Sequence, residues 1–208
     1  MDTLLATVIH DAKNGLATLG AWLEQARAQT PSPALEEACR QAQRINTQLV
    51  ELLALHRGSE GTLRLAIADH DLADFVDDLK AEWLAPPQST ITVSWPADAG
   101  RIGAWAFDAY QVKLVLLDVL RNALRHARTT VALRLAVEPG GGIRFTVQDD
   151  GPGFPVAHSA TMHDQGSGLG LSFARLIARE HRTPNGKHGD IEMKNAPQGG
   201  ALFSLILP

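Results

Sequence analysis

Cysteine occurs once in the sequence, at Cys39, so neither an intramolecular disulfide nor a multi-cysteine zinc site can form, as suits a reducing compartment. Long apolar runs are missing too. No stretch reaches the roughly 20 residues of a membrane span, and the start lacks the basic-then-apolar layout of a secretory leader. The expectation is a cytoplasmic chain with no membrane segment. Positive charge is not in excess: 19 Lys and Arg stand against 23 Asp and Glu, a net charge of -4, which leaves no broad basic field for nucleic acid. There are glycine clusters, but none ends in the Gly-Lys-Ser/Thr of a P-loop, and Asp149-Asp150-Gly151 lacks the spaced oxygens and closing Glu of a calcium loop. No strand directly precedes Gly166-Ser167-Gly168-Leu169-Gly170 and no βαβ unit follows, so a dinucleotide-binding fingerprint is rejected as well.

What is present is enough apolar surface for a core, with 45% hydrophobic residues over 208 positions, a length that favours a small module joined to one of ordinary size. Leu5, Ile9, Ala12, Leu16, Leu19, Leu23 and Ala26 alternate steps of four and three, as in a coiled-coil-like helix. After Gln29-Thr30-Pro31, Ser32 can cap a second helix with Pro33 at its first position and Glu36 and Glu37 in its first turn. Leu35, Ala38, Ala42, Ile45, Leu49 and Leu52 repeat the alternation. Residues 1–58 therefore read as an antiparallel helical hairpin. Two helices leave much apolar surface uncovered, so pairing of two hairpins into a dimeric four-helix bundle is expected.

Gly58-Ser59-Glu60-Gly61 ends that pattern, and residues 62–208 read as a second domain. Leu63, Leu65 and Ile67 alternate as a strand, a helix surrounds Leu72 to Trp83, and Ile91, Val93 and Trp95 alternate again. Asp108 caps a strongly apolar helix to about Ala127. Val131 to Val137 and Ile143 to Val147 form strands joined through Pro139-Gly140-Gly141-Gly142. A helix from Leu169 to His181 and two closing strands complete an antiparallel-rich sheet with helices on one face, an α/β two-layer sandwich, making the whole chain α+β.

Three patterns carry chemistry. In His10-Asp11-Ala12-Lys13-Asn14, Ile9 takes the seam and turns His10 to the flank; Asp11 is placed to orient the imidazole, and Asn14 follows one turn later. Taken alone, His10 reads better as an ordinary solvated helix residue. In Asp118-Val119-Leu120-Arg121-Asn122-Ala123-Leu124-Arg125-His126, an amide inside an apolar helix needs a partner or offers an oxygen to a metal, and Arg125 adds positive charge nearby. Glycines at 151, 153, 166, 168 and 170 let backbone N–H groups approach phosphate oxygens, and Leu169 opens a helix whose N-terminus favours anions.

In this order the residues resemble the two-component sensor histidine kinase family along essentially the whole chain. His10 to Leu16 is similar to its phosphoacceptor box, Asp118 to Ala127 to its asparagine box, Asp149 to Gly153 and Gly166 to Leu171 to its two glycine boxes, and Gly199 to Pro208 to its closing strand. The resemblance implies an ATP-binding domain of the histidine kinase, gyrase and chaperone type. It implies that His10 is phosphorylated from ATP with Asp11 as base or orienting partner, and that the phosphoryl group passes to an aspartate of a response regulator. By the same analogy Asn14 orients a water for phosphatase activity, Asp149 binds the adenine amino group, Asn122 helps bind Mg2+, and Gly151, Gly153, Gly166, Gly168 and Gly170 shape the phosphate contacts with Arg125 and His126 nearby. Asp118 stands where the family usually has Asn and is a candidate metal ligand or a source of repulsion against the triphosphate. That departure supports an alternative, a non-kinase phosphotransfer or phosphatase module with a weak or regulatory ATP site. Gly15 replaces the familiar Pro, and Thr183 to His188 is similar to a small insertion.

Overall fold

The computed structural model describes residues 2–30, 32–83, 90–154 and 169–208, with side chains described from residue 11 onward except at Lys13. It divides into two compact units, Met1–Leu63 and Arg64–Pro208. Among the described residues no helix is long and apolar enough to cross a membrane.

The first unit is a hairpin of α1 (Asp2–Gln29) and α2 (Pro33–Ser59). The Ser32 hydroxyl caps α2 by accepting the Leu35 N–H at 3.2 Å, with Pro33 entering the first turn where its missing N–H costs nothing. The heptad pattern of α2 divides between two faces. Cys39, Ala42, Thr47, Val50, Glu51 and Ala54 are buried, while Ile45 and Leu52, which the alternation joins to Ala42, are exposed. One stripe of a two-helix pair can pack inward, and the other faces elsewhere.

The second unit carries a five-stranded sheet in the order β2-β4-β5-β7-β6, formed by β2 (Thr92–Ser94), β4 (Thr130–Val137), β5 (Ile143–Asp149), β6 (Asp190–Asn195) and β7 (Ala201–Leu207). Among the described residues only the β2–β4 pairing is parallel; the other pairings are antiparallel. A separate ribbon pairs β1 (Ala68–Asp71) with β3 (Ala104–Phe107). The helices are α3 (Leu72–Glu82), the short α4 (Ala99–Ile102), α5 (Ala109–His126) and α6 (Leu169–Glu180). The strand expected from Leu63 to Ile67 is absent: those residues alternate but join no ladder, and pairing begins at Ala68 with β3, an element whose four residues give too short a pattern to read.

Along β5, Ile143, Phe145 and Val147 are buried against the helices, where Val112, Val115, Leu116 and Leu120 of α5 and Phe173 and Ile177 of α6 complete the core. Phe75, Phe107 and Phe145 meet edge to face with centroids 5.0 to 5.9 Å apart, an arrangement that adds to their area burial. The opposite sheet face is polar: Arg144 bridges to Glu192 at 3.0 Å and Arg134 bonds Gln148 at 2.7 Å. Asp108 caps α5 by accepting the Gln111 N–H at 3.0 Å, and its second oxygen holds the Ala66 N–H at 2.8 Å. Helix α5 thus starts at a point fixed by side-chain chemistry, and its last two turns come out beside the end of β5.

Candidate functional site

The end of β5 separates two adjacent carboxylates into different tasks. Asp150 turns toward the start of β4, where it accepts the N–H groups of Arg128 at 2.8 Å and Thr129 at 3.0 Å together with the Thr129 hydroxyl. The hydroxyl bond first, and then the backbone donors, hold its carboxyl well below the usual carboxylate range. It is fully engaged in the fold. Asp149 is buried, and its Oδ1 accepts N–H bonds from Gly151 at 2.8 Å and Ala201 at 3.2 Å. Among the described residues its Oδ2 takes no hydrogen bond, so one oxygen is fixed and the other is an acceptor for an incoming donor.

The glycines after Asp149 are demanded by close approach. An added Cβ at Gly151 would run into the His126 carbonyl, and at Gly153, held at φ 80°, it would stand 2.8 Å from Asn195 Oδ1. The α5 terminus, the Asp149 turn and the turn between β6 and β7 therefore interlock with almost no space for side chains.

On α5, Leu120 and Ala123 are buried while Asn122, Arg125 and His126 are exposed. Asn122 donates its amide Nδ2–H to Asp118 Oδ2 one turn earlier, at 3.2 Å. A carboxylate only accepts, so the bond orients the amide with its NH2 toward Asp118 and its carbonyl oxygen away. Gly170, second residue of α6, lies against the same carboxylate, and a Cβ there would collide with Asp118 Oδ2. Asp118 thus joins the asparagine on α5 to the N-terminal turn of α6, where a negative charge meets the positive end of the helix dipole. Leu169 and Gly170 belong to that turn, whereas Gly166 and Gly168 lie outside the described residues.

These groups suit a nucleotide with a divalent cation. The open oxygen of a buried aspartate matches an exocyclic amino donor. No group of three or more His, Cys, Asp or Glu residues able to hold a metal occurs among the described residues; the Asn122 carbonyl oxygen and the Asp118 carboxylate are the α5 oxygens that could hold a magnesium ion together with nucleotide phosphates.

In the hairpin, His10, Asp11 and Asn14 lie on α1; Asp11 and Asn14 are exposed, and the His10 side chain lies outside the described ones. The remaining candidates fall in the second unit. Sequence reasoning missed Asn195 and Ala201, whose contacts with the Asp149 turn span 41 and 52 residues; the signal present was the Gly199-Gly200 pair, where Gly200 at φ 93° presses on the Asp149 carbonyl.

An α/β sandwich with this turn and this asparagine helix, following a helical hairpin in the chain, has the features of a nucleotide-binding domain. Residues 107–208 match the family described as Histidine kinase-, DNA gyrase B-, and HSP90-like ATPase. The chain is 31% identical to the signal transduction histidine-protein kinase AfsQ2 of Streptomyces coelicolor over 85% of this chain and 33% of that protein. It is 26% identical to the sensor histidine kinase CpxA of Escherichia coli over 99% of this chain and 46% of that protein. It superposes on the Acinetobacter baumannii histidine kinase AdeS with a TM-score of 0.63 at 18% identity, covering 92% of this chain and 94% of that one. It also superposes on full-length ShkA in complex with AMPPNP, with a TM-score of 0.67 at 20% identity over 100% of this chain and 46% of that one. The chain belongs to the two-component sensor histidine kinase family. It spans a third to less than half the length of AfsQ2 and CpxA.

Proposed function

We propose that the chain is the kinase portion of a two-component system: it binds ATP with Mg2+, phosphorylates its own His10 and passes the phosphoryl group to an aspartate of a response regulator. The observation that carries this is the half-engaged, buried Asp149 at the end of β5, set beside the exposed asparagine face of α5. Asp149 Oδ2 accepts from the adenine amino group. Asn122 offers its carbonyl oxygen to magnesium, held in that orientation by Asp118, whose own charge lies beside the ion. Arg125 and His126 add donors near the phosphates; Gly151 and Gly153 shape the turn that carries Asp149, Leu169 and Gly170 bring the first turn of α6 to the site, and the family resemblance assigns phosphate contacts to Gly166 and Gly168 as well. When bound, ATP supplies the phosphoryl group and Mg2+ compensates its charge.

In the hairpin, His10 takes the phosphoryl group on a ring nitrogen, Asp11 holds the other nitrogen's proton, and Asn14 positions a water for the reverse, phosphatase direction. The hairpin pairs with a second copy through its outward apolar face. Trp22 is 66% exposed, Ile45 46% and Leu19 43%, more apolar surface than a free two-helix unit of this size keeps in water. As a consumer of ATP, this portion works on the cytoplasmic side.

The test is incubation of the chain with Mg2+ and γ-labelled ATP beside a His10→Ala variant. Acid-labile, base-stable label lost in the variant is expected. Nucleotide binding with no label on the wild type would overturn the kinase reading in favour of a non-kinase phosphotransfer or phosphatase module.

A further inference from the structure

Asn195 closes β6 and belongs to no box of the sequence, yet its side chain makes a matched pair of bonds to one residue of the first glycine segment. Its Oδ1 accepts the Phe154 N–H at 2.7 Å and its Nδ2 donates to the Phe154 carbonyl at 3.0 Å. Turning the amide over would set donor against donor and acceptor against acceptor, so this orientation is forced. The pair reproduces with a side chain what a neighbouring strand would give the backbone.

The other end of the same segment is gripped by the same turn. Ala201 N–H bonds Asp149 Oδ1 at 3.2 Å, Gly200 packs on the Asp149 carbonyl, and the turn between them is closed by Ala196 N–H to Gly200 O and Gly199 N–H to Ala196 O, both 2.9 Å. The stretch from Asn195 to Ala201 therefore holds Asp149 to Phe154 at both ends.

We propose that Asn195 is a positioning residue for nucleotide binding, clamping the Phe154 backbone so that Asp149 Oδ2 and the glycine N–H groups keep one arrangement. This rests on the ATP-binding reading above. Asn195 is exposed and Phe154 half-buried. Bonds of this kind add little to global stability, so their loss acts on the local order of the segment.

The experiment uses the full chain and two readouts. In nucleotide-free protein, amide exchange at Phe154 is slow in the wild type and fast in Asn195→Ala. With a non-hydrolysable ATP analogue and Mg2+, Asn195→Ala binds about tenfold more weakly, as does Asn195→Asp, which keeps one acceptor but sets a second oxygen against the Phe154 carbonyl. Turnover at saturating ATP stays within about twofold, because binding rather than the chemical step is affected. Ser204→Ala, which removes the Thr146–Ser204 bond elsewhere on β7, leaves affinity unchanged and controls for general loosening. Unchanged exchange at Phe154 or unchanged affinity in Asn195→Ala would overturn the clamp. A wild type with protected Phe154 that binds no analogue would instead overturn the ATP reading, and the positioning role with it.

Discussion

His181 Nε2 lies 3.0 Å from the Asp108 backbone nitrogen and accepts its hydrogen, while Nδ1 lies 2.7 Å from the Ile177 carbonyl oxygen and donates to it. One imidazole thus ties the start of α5 to the end of α6, and the tautomer is dictated by its partners. Protonating Nε2 would set N–H against N–H inside a buried site.

Burial therefore pushes the His181 pKa down, more than the Ile177 carbonyl and the nearby Asp108 charge raise it. A group whose folded pKa lies below its unfolded value near 6.5 contributes stability in full above that value. The contribution is lost as pH falls below about 6.5 toward the folded pKa. Urea midpoints should decline from pH 7.5 to 5.5, and His181→Gln should flatten that decline while costing roughly 1–3 kcal/mol at pH 7.5 through the unpaired Asp108 N–H. An equal slope in wild type and variant would remove His181 as its source.

Asp118 and Asn122 call for a comparison of two substitutions. Asp118→Asn keeps an acceptor for the Asn122 amide, whereas Asp118→Leu removes it and leaves the amide to rotate. If orientation is the chief role, the Mg2+ concentration for half-maximal autophosphorylation stays within about threefold in the first and rises about tenfold in the second, the scale of one charge-assisted bond. A tenfold rise in both variants would assign the carboxylate to the ion itself.

Much of this architecture is legible because it is local. The Ser32 and Asp108 caps, the α5 stripe and the β4–β5 hairpin all follow from residues within a few positions of one another. What is not legible depends on partners far along the chain. Asp149 and Asp150 are chemically alike, and their tasks divide only because Thr129 lies beside one and Ala201 beside the other. The β1–β3 ribbon was hidden for the same reason: Ala68 to Asp71 has no apolar alternation, and Phe107 across from Ala68 supplies the burial. Asn195 looks like any strand-ending polar residue until Phe154 is placed next to it.

The outward face of the hairpin gives a third test. Ile45→Glu puts a charge on a side chain that is 46% exposed in the single hairpin, so the isolated fold should tolerate it within about 0.5 kcal/mol. In a dimer interface the same charge would be desolvated without a partner, and sedimentation equilibrium should show at least a tenfold weaker self-association. Identical association of variant and wild type would exclude this face as the interface.

Asp149 allows a test of nucleotide chemistry as well as affinity. In Asp149→Asn the amide oxygen can still accept from Gly151 and Ala201, the two bonds that fix Oδ1, so the fold is retained. The second position then carries NH2 in place of an acceptor oxygen and faces the adenine amino group donor to donor. A lost hydrogen bond to a charged group is worth roughly 1.5–3 kcal/mol, so ATP affinity should fall about tenfold to a hundredfold. Inosine triphosphate carries a carbonyl where ATP carries that amino group, and it should bind the variant better than ATP does while binding the wild type worse. That reversal distinguishes a direct contact from a general loss of structure, which would weaken both nucleotides alike. Parallel losses for the two nucleotides would place the base elsewhere and leave Asp149 as a structural carboxylate like Asp150.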